Sequence, residues 1–272
     1  MESTSSTNSS TADKVTTPKI PIKLMGSKGS NPIPMFEKLW DFFSLKGVKT
    51  VAVSLGTSSS PLAELEIAET LGCPLNIVEY DSAKLDQWNS VTEILKNRKE
   101  SDETKSDFTS EVVNKWVLAK NIRVTSKLPY FFNGSIEVCN RTIETVKIST
   151  YVENICSLMN ISSENARIDL LNIQLGDELE QSVLYAFLNN CYRPGFIVIN
   201  YTFNPDSHLL STMVAGHLQN VGYTLIGIED SKFLYVFNDK NAYEYCSYEQ
   251  KYVDNPLIEE CMKVSIFSSN KK

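Results

Sequence analysis

Thr50-Val51-Ala52-Val53-Ser54-Leu55-Gly56, then Thr57-Ser58-Ser59-Ser60-Pro61, a helical run to Gly72, and Leu75-Asn76-Ile77-Val78-Glu79-Tyr80-Asp81 read as strand, turn, helix, strand. Apolar runs of this length with β-branched residues suit strands buried on both faces, as in a parallel sheet. Ser60 fits an N-cap, Pro61 the first helical position and Gly72 the residue just past the helix end. Leu62, Leu65, Ala68 and Leu71 recur along one helical face. The stretch is the opening βαβ unit of an α/β sheet.

Downstream, helices and strands keep alternating. Ser82 to Glu100 reads as a helix with Leu85, Trp88, Val91, Ile94 and Leu95 on its buried face, followed by a charged, solvated segment to Asp107. Ile122-Arg123-Val124 is a third strand, and Tyr130-Phe131-Phe132-Asn133-Gly134 is a candidate pocket lining or a packed rim. Ile136-Glu137-Val138 and Ile143-Glu144-Thr145-Val146 alternate around Asn140-Arg141 as a hairpin does. A helix over 150–159 precedes the strand Arg167 to Leu175, the turn Gly176-Asp177 and a helix from Glu178 to Asn190. The strand at 195–201 and the helix at 207–221, striped by Leu210, Met213, Val214, Leu218 and Val221, come next. Tyr223 to Ile228 and Phe233 to Phe237 then flank Asp230-Ser231 without an intervening helix, which predicts an antiparallel end to a mostly parallel sheet.

Ahead of the opening unit, Met1 to Thr17 is rich in Ser and Thr and reads as disordered, and Pro18 to Pro34 as an extended arm without regular structure. Phe36, Leu39, Trp40, Phe43 and Leu45, closed by Gly47, read as a short amphipathic helix. The expected organisation is an arm over 1–34, one α/β domain over 35–245 and an extension over 246–272. A formal charge of −7 argues against nucleic-acid backbone binding, and no apolar run approaches the length of a membrane helix. With neither an apolar leader nor an Arg-rich one, the expected location is cytoplasmic. Six scattered cysteines show no CxxC or Cys/His cluster, so no metal site is expected. Of the two histidines, His217 falls in an apolar stripe and reads as a packed, hydrogen-bonded residue.

The element order with its closing hairpin resembles that of class I S-adenosylmethionine-dependent methyltransferases. Within that class, the run from Asp169 to Glu180 (Asp-Leu-Leu-Asn-Ile-Gln-Leu-Gly-Asp-Glu-Leu-Glu) is similar to the D-L-L-K-I-D-V-E-G strand of the FkbM-type subgroup. The resemblance spans roughly Val48 to Asp239, and the Ser-, Asn- and Lys-rich style resembles divergent members from large DNA viruses of eukaryotes. It implies a Rossmann-like class I methyltransferase fold, with S-adenosylmethionine as cofactor. The subgroup's Lys and Asp fall on Asn172 and Gln174, and its Glu-Gly pair on Gly176-Asp177.

The implied cofactor residues are Gly56, Thr57 and Ser58 in the turn, Glu79 or Asp81 after the second strand, and Gln174. A carboxylate after the second strand accepts both ribose hydroxyls, and Glu79 directly follows the apolar run. Asp81 or Ser82 reads equally as the cap of the next helix. Glycines that admit close backbone approach are reduced here to Gly56, followed by Thr57 and three serines. Methyl transfer needs alignment more than a dedicated triad, so no catalytic residue is assigned. Asn172, Gln174, Asn200, Tyr201 and Asn204 lie near strand ends, where open sheets bind ligands, and each reads equally as a turn or cap residue.

Two readings of function follow. One is S-adenosylmethionine-dependent O-methyl transfer to a small molecule or sugar. The other is a degenerate Rossmann domain kept as a binding or structural module, virion-associated or engaging a protein through its arm. An open cleft beside Glu79 favours the first, and a cleft plugged by Tyr130 or Phe131 the second. Leu55 to Ser60 lacks G-x-G-x-x-G, which ranks a dinucleotide oxidoreductase low.

Overall fold

The computed structural model describes residues 22–25, 33–36, 50–57, 61–71, 73–97, 122–158, 167–176, 179–190, 192–201, 207–229 and 231–237. The strands are β1 (Ile22–Met25), β2 (Ile33–Phe36), β3 (Thr50–Leu55), β4 (Leu75–Val78), β5 (Ile122–Thr125), β6 (Leu128–Tyr130), β7 (Gly134–Val138), β8 (Arg141–Lys147), β9 (Arg167–Ile173), β10 (Phe196–Asn200), β11 (Tyr223–Glu229) and β12 (Lys232–Phe237). The helices are α1 (Leu62–Leu71), α2 (Ser82–Asn97), α3 (Ile148–Leu158), α4 (Leu179–Asn189) and α5 (Ser207–Asn220).

Seven strands form the central sheet in the order β11-β12-β10-β9-β3-β4-β5. β5, β4, β3, β9 and β10 run parallel, whereas β12 is antiparallel to both β10 and β11. Numbered along the chain, the sheet reads 3-2-1-4-5-7-6. This is a doubly wound order with one antiparallel strand slipped between its last two members. The fold is thus Rossmann-like and mostly parallel, with the terminal antiparallel hairpin that the methyltransferase resemblance implies.

Burial explains the strands' composition. Val51, Val53, Leu55, Leu171, Ile173, Ile197 and Ile199 all lie in one core with Val183, Leu184 and Phe187 of α4 and Val214 and Leu218 of α5. On β3, Ala52 and Ser54 are buried as well, so the strand is covered on both faces. α1 begins at Leu62, directly after the buried Pro61, whose carbonyl accepts the Leu65 amide at 3.0 Å; Ser60 and Gly72, read as its caps, lie outside the described residues.

A three-stranded sheet, β6-β8-β7, is inserted between β5 and α3. Its hairpin is offset from the reading centred on Asn140-Arg141. Val138 pairs with Arg141, and Cys139 and Asn140 form the two-residue turn at φ +48° and +61°. Consecutive left-handed residues match the twist of the flanking strands.

Other expectations change. The arm read as lacking regular structure contains β1 paired antiparallel with β2, and Ile33 and Pro34 are buried. Phe36 ends β2 instead of starting a helix, and the rest of that expected helix lies outside the described residues. Ile94 on α2 and Met213 on α5, both assigned to buried faces by periodicity, are 46% and 54% exposed. Neither helix is covered over its whole apolar stripe.

Candidate cofactor crevice

Three adjacent parallel strands end together. Register pairs Leu55 with both Val78 and Ile173, so Gly56, Glu79 and Gln174 are the next residues on β3, β4 and β9. Backbone bonds hold the tips: the Gly56 amide donates to the Val78 carbonyl and the Gln174 amide to the Leu55 carbonyl, both at 2.8 Å. Gly56 has φ +70°, and a Cβ there would lie 2.3 Å from the Gln174 carbonyl oxygen. Glycine is required by this approach of β9's backbone, independently of any ligand.

Glu79 is 2% exposed, and its carboxylate is taken up by neighbours. Oε2 accepts the Thr57 amide at 3.0 Å and the Thr57 hydroxyl at 2.7 Å, and Oε1 accepts the Asp81 amide at 3.0 Å. The Thr57 hydroxyl also receives the indole N–H of the buried Trp88 at 3.1 Å. Lys84 adds its ammonium to the Thr57 carbonyl. A buried carboxylate is costly unless hydrogen-bonded, and these charge-assisted donors meet that need. The donors are chain atoms rather than ribose hydroxyls.

Asp81 serves as the helix cap of the alternative reading. Its Oδ1 accepts the amides of Ala83 and Lys84 at 3.1 and 3.2 Å, and Oδ2 faces Arg141 at 3.5 Å. The Lys84 amide is the chief cause holding this carboxyl below its ordinary value, against a smaller desolvation effect and with help from Ala83, Arg141 and the Lys84 charge. Tyr80, between the two acids, donates its hydroxyl to the Leu175 carbonyl at 2.6 Å.

The amides on β9 are likewise engaged. Asn172, 1% exposed, donates to the Ser54 hydroxyl at 2.8 Å, and that hydroxyl donates to the Gly56 carbonyl at 3.3 Å. The Gln174 amide reaches Asn172 Oδ1 at 3.4 Å. Beyond them, the Gly176 amide donates to the buried Glu180 carboxylate at 3.1 Å. On β10, Asn200 accepts the Ser231 hydroxyl at 2.6 Å, and Tyr201 packs edge-on to Phe233. Burial first, then Tyr235, pushes the Tyr201 phenol up.

Of the residues singled out from sequence, the structure thus brings Gly56, Thr57, Glu79, Asp81 and Gln174 to one group of strand ends. Ser58 and Asn204 lie outside the described residues. Tyr130 is half-buried, and Phe131 and Phe132, which both pack edge-on with its ring, are exposed. Four participants were not singled out for the site: Tyr80, Lys84, Trp88 and Arg141. Trp88 was legible only as a buried helix residue; nothing in the sequence marks its indole as a partner of Thr57. Among the described residues no cluster of three or more metal-ligating side chains occurs, and no helix is long and apolar enough to cross a membrane.

No protein-family model and no curated protein matches the chain. Solved structures do. A human methyltransferase 10 domain containing protein is 12% identical over 77% of this chain and 78% of its own, with TM-score 0.40. A putative caffeoyl-CoA O-methyltransferase from Staphylococcus aureus is 9% identical over 76% and 86%, with TM-score 0.40. The methyltransferase domain of bacterial CtHen1-C is 11% identical over 74% and 96%, with TM-score 0.36. All three are methyltransferase structures. The fold assignment itself rests on strand order and direction in the central sheet.

Proposed function

We propose that this chain is a methyltransferase-like Rossmann domain of FkbM type whose S-adenosylmethionine crevice is closed, and that it works as a binding or structural module. One observation carries the reading: both oxygens of Glu79 are engaged by chain donors from Thr57 and Asp81, and the carboxylate is buried. Three of the carboxylate's roughly four acceptor positions are taken, so a ribose diol would have to displace a chain donor to make both its bonds there. The loss of the subgroup's charged residues at Asn172 and Gln174, now joined in the chain that ends on the Gly56 carbonyl, supports the same conclusion. A protein partner meeting the N-terminal arm, and a place in a virion, belong to this reading.

Calorimetric titration with S-adenosylmethionine and S-adenosylhomocysteine tests it. The folded protein should give no binding heat with either ligand at about 1 mM, the weak limit for a specific site. Saturable binding that disappears in Glu79→Ala would instead establish the cofactor site. The active reading, O-methyl transfer to a small molecule or sugar, draws on the shared ending of β3, β4 and β9, which places the required strand tips side by side.

A further inference from the structure

We infer that β7 is a self-association edge. Two copies of this chain pair antiparallel through Gly134–Val138 about a two-fold axis at Ile136, joining their three-stranded sheets into one. This goes beyond the closed crevice and holds whether or not that crevice takes a ligand.

β7 is the end strand of the β6-β8-β7 sheet. Its two-residue turn makes Val138 and Arg141 a hydrogen-bonded pair, and bonded and non-bonded pairs alternate from there. Val138, Ile136 and Gly134 therefore direct their backbone groups at β8, whereas Ser135 and Glu137 point theirs outward. Gly134, Ser135 and Glu137 are exposed, so the edge is open to solvent. A bare edge is a template for another strand, and proteins blunt it with proline, a bulge or an outward charge. β7 contains no proline and pairs with β8 without a shift in register. Its one charge, Glu137, is drawn back toward β8, where Oε1 accepts the Thr142 hydroxyl at 2.6 Å.

Two exposed aromatics stand beside this edge. Phe131 and Phe132 are 39% and 46% exposed, with ring centroids 5.1 and 5.5 Å from that of Tyr130. A Cβ on Gly134 would meet the Phe132 ring at 3.6 Å, so that ring lies at the start of β7. Rings already held in place lose little freedom on docking.

The residues of β7 select a second copy as the occupant. An antiparallel register must set outward residues opposite outward residues. Centred on Glu137, it would bring two carboxylates face to face; centred on Ser135, it would put Asn133, which precedes the strand, opposite Glu137. Centred on Ile136, Ser135 of each copy exchanges both backbone bonds with Glu137 of the other, and the carboxylates stay apart. The same register carries Phe131 and Phe132 toward Asn140 and Arg141 in the turn of the other copy. The Arg141 side chain is 64% exposed beside Asp81, so it can meet an aromatic ring as a cation–π partner.

Sedimentation equilibrium of the full chain, from micromolar to sub-millimolar protein, tests this. The wild type should show a reversible monomer–dimer equilibrium. Ser135→Pro deletes an outward N–H that the monomer does not use, so it should fold and stay monomeric. Ser135→Lys should tighten the dimer and Ser135→Glu weaken it, each by about tenfold because the pair with Glu137 occurs twice, and both shifts should shrink in high salt. In a Cys139→Ser background, Ile136→Cys sets two thiols at the axis with Cα atoms about 4.5 Å apart. Oxidised glutathione should link that variant into a dimer which the background alone does not form. Circular dichroism checks folding, and the two charge variants carry the test if the proline variant unfolds. A wild type that stays monomeric over the whole range would exclude a second copy as the occupant and overturn the inference. A dimer indifferent to both charge substitutions at Ser135 would place the contact on another face and overturn it as well.

Discussion

The Tyr80 hydroxyl donates to the Leu175 carbonyl at 2.6 Å, joining the end of β4 to the end of β9. β3 lies between those strands, and Leu175 folds back over its end, with its Cα 3.3 Å from where a Cβ on Gly56 would lie. Beside this link, Thr57 turns toward Glu79. The residue that bridges these strand ends follows the acid itself.

Glu79 is a structural acid in this arrangement. Glu79→Gln retains the shape but places an amide among three donors, so the protein should lose about 2–3 kcal/mol of stability. Urea unfolding measures this as a lower midpoint at unchanged slope.

Gly56 should tolerate no side chain. Gly56→Ala combines a left-handed backbone at φ +70° with a Cβ 2.3 Å from the Gln174 carbonyl oxygen. The expected loss is about 3 kcal/mol, read from the same unfolding experiment.

Asp81 caps α2 through two amides, and Asp81→Ala should cost about 1 kcal/mol. Its exposed contact with Arg141 adds little. Because the folded carboxyl titrates below the ordinary 3.8, its stabilising effect is complete above that value. It is lost as pH falls through the lower folded value. The stability difference between wild type and Asp81→Asn should shrink in that acid range.

His217 packs edge-on against Tyr185 with ring centroids 4.7 Å apart, as the apolar stripe implied, and among the described residues its buried Nε2 has no hydrogen-bond partner. Burial first, and Arg193 second, hold the imidazole below 6.5. Folding thus favours neutral imidazole: its contribution is present above pH 6.5 and declines as pH falls through the lower folded value. His217→Gln should flatten that part of the stability–pH profile.

How much was legible follows from the range of each interaction. β10 was readable because the unbroken apolar run Phe196 to Ile199 marks a strand buried on both faces, β9 because Ile168, Leu170, Leu171 and Ile173 outweigh its polar positions, and the Tyr223–Phe237 hairpin because no helix fits between its strands. The insertion of β12 between β10 and β11 was not, since sheet order depends on contacts far apart in the chain. Helical periodicity placed Val91 and Val214 inside but also claimed Ile94 and Met213, because spacing fixes a face without showing how far its neighbours reach. At the crevice, the residue types were visible and their pairing was not. Glu79 looked available to a ligand because nothing local reveals a bond to a threonine 22 positions earlier.

The most direct measurement is amide hydrogen exchange at Thr57 and Asp81, followed by nuclear magnetic resonance with and without excess S-adenosylhomocysteine. Both amides donate to Glu79, so both should be protected, with rates and chemical shifts unchanged by the ligand. An unprotected Thr57 amide, or a saturable shift of both resonances on adding ligand, would show that Glu79 is available and would contradict the closed crevice.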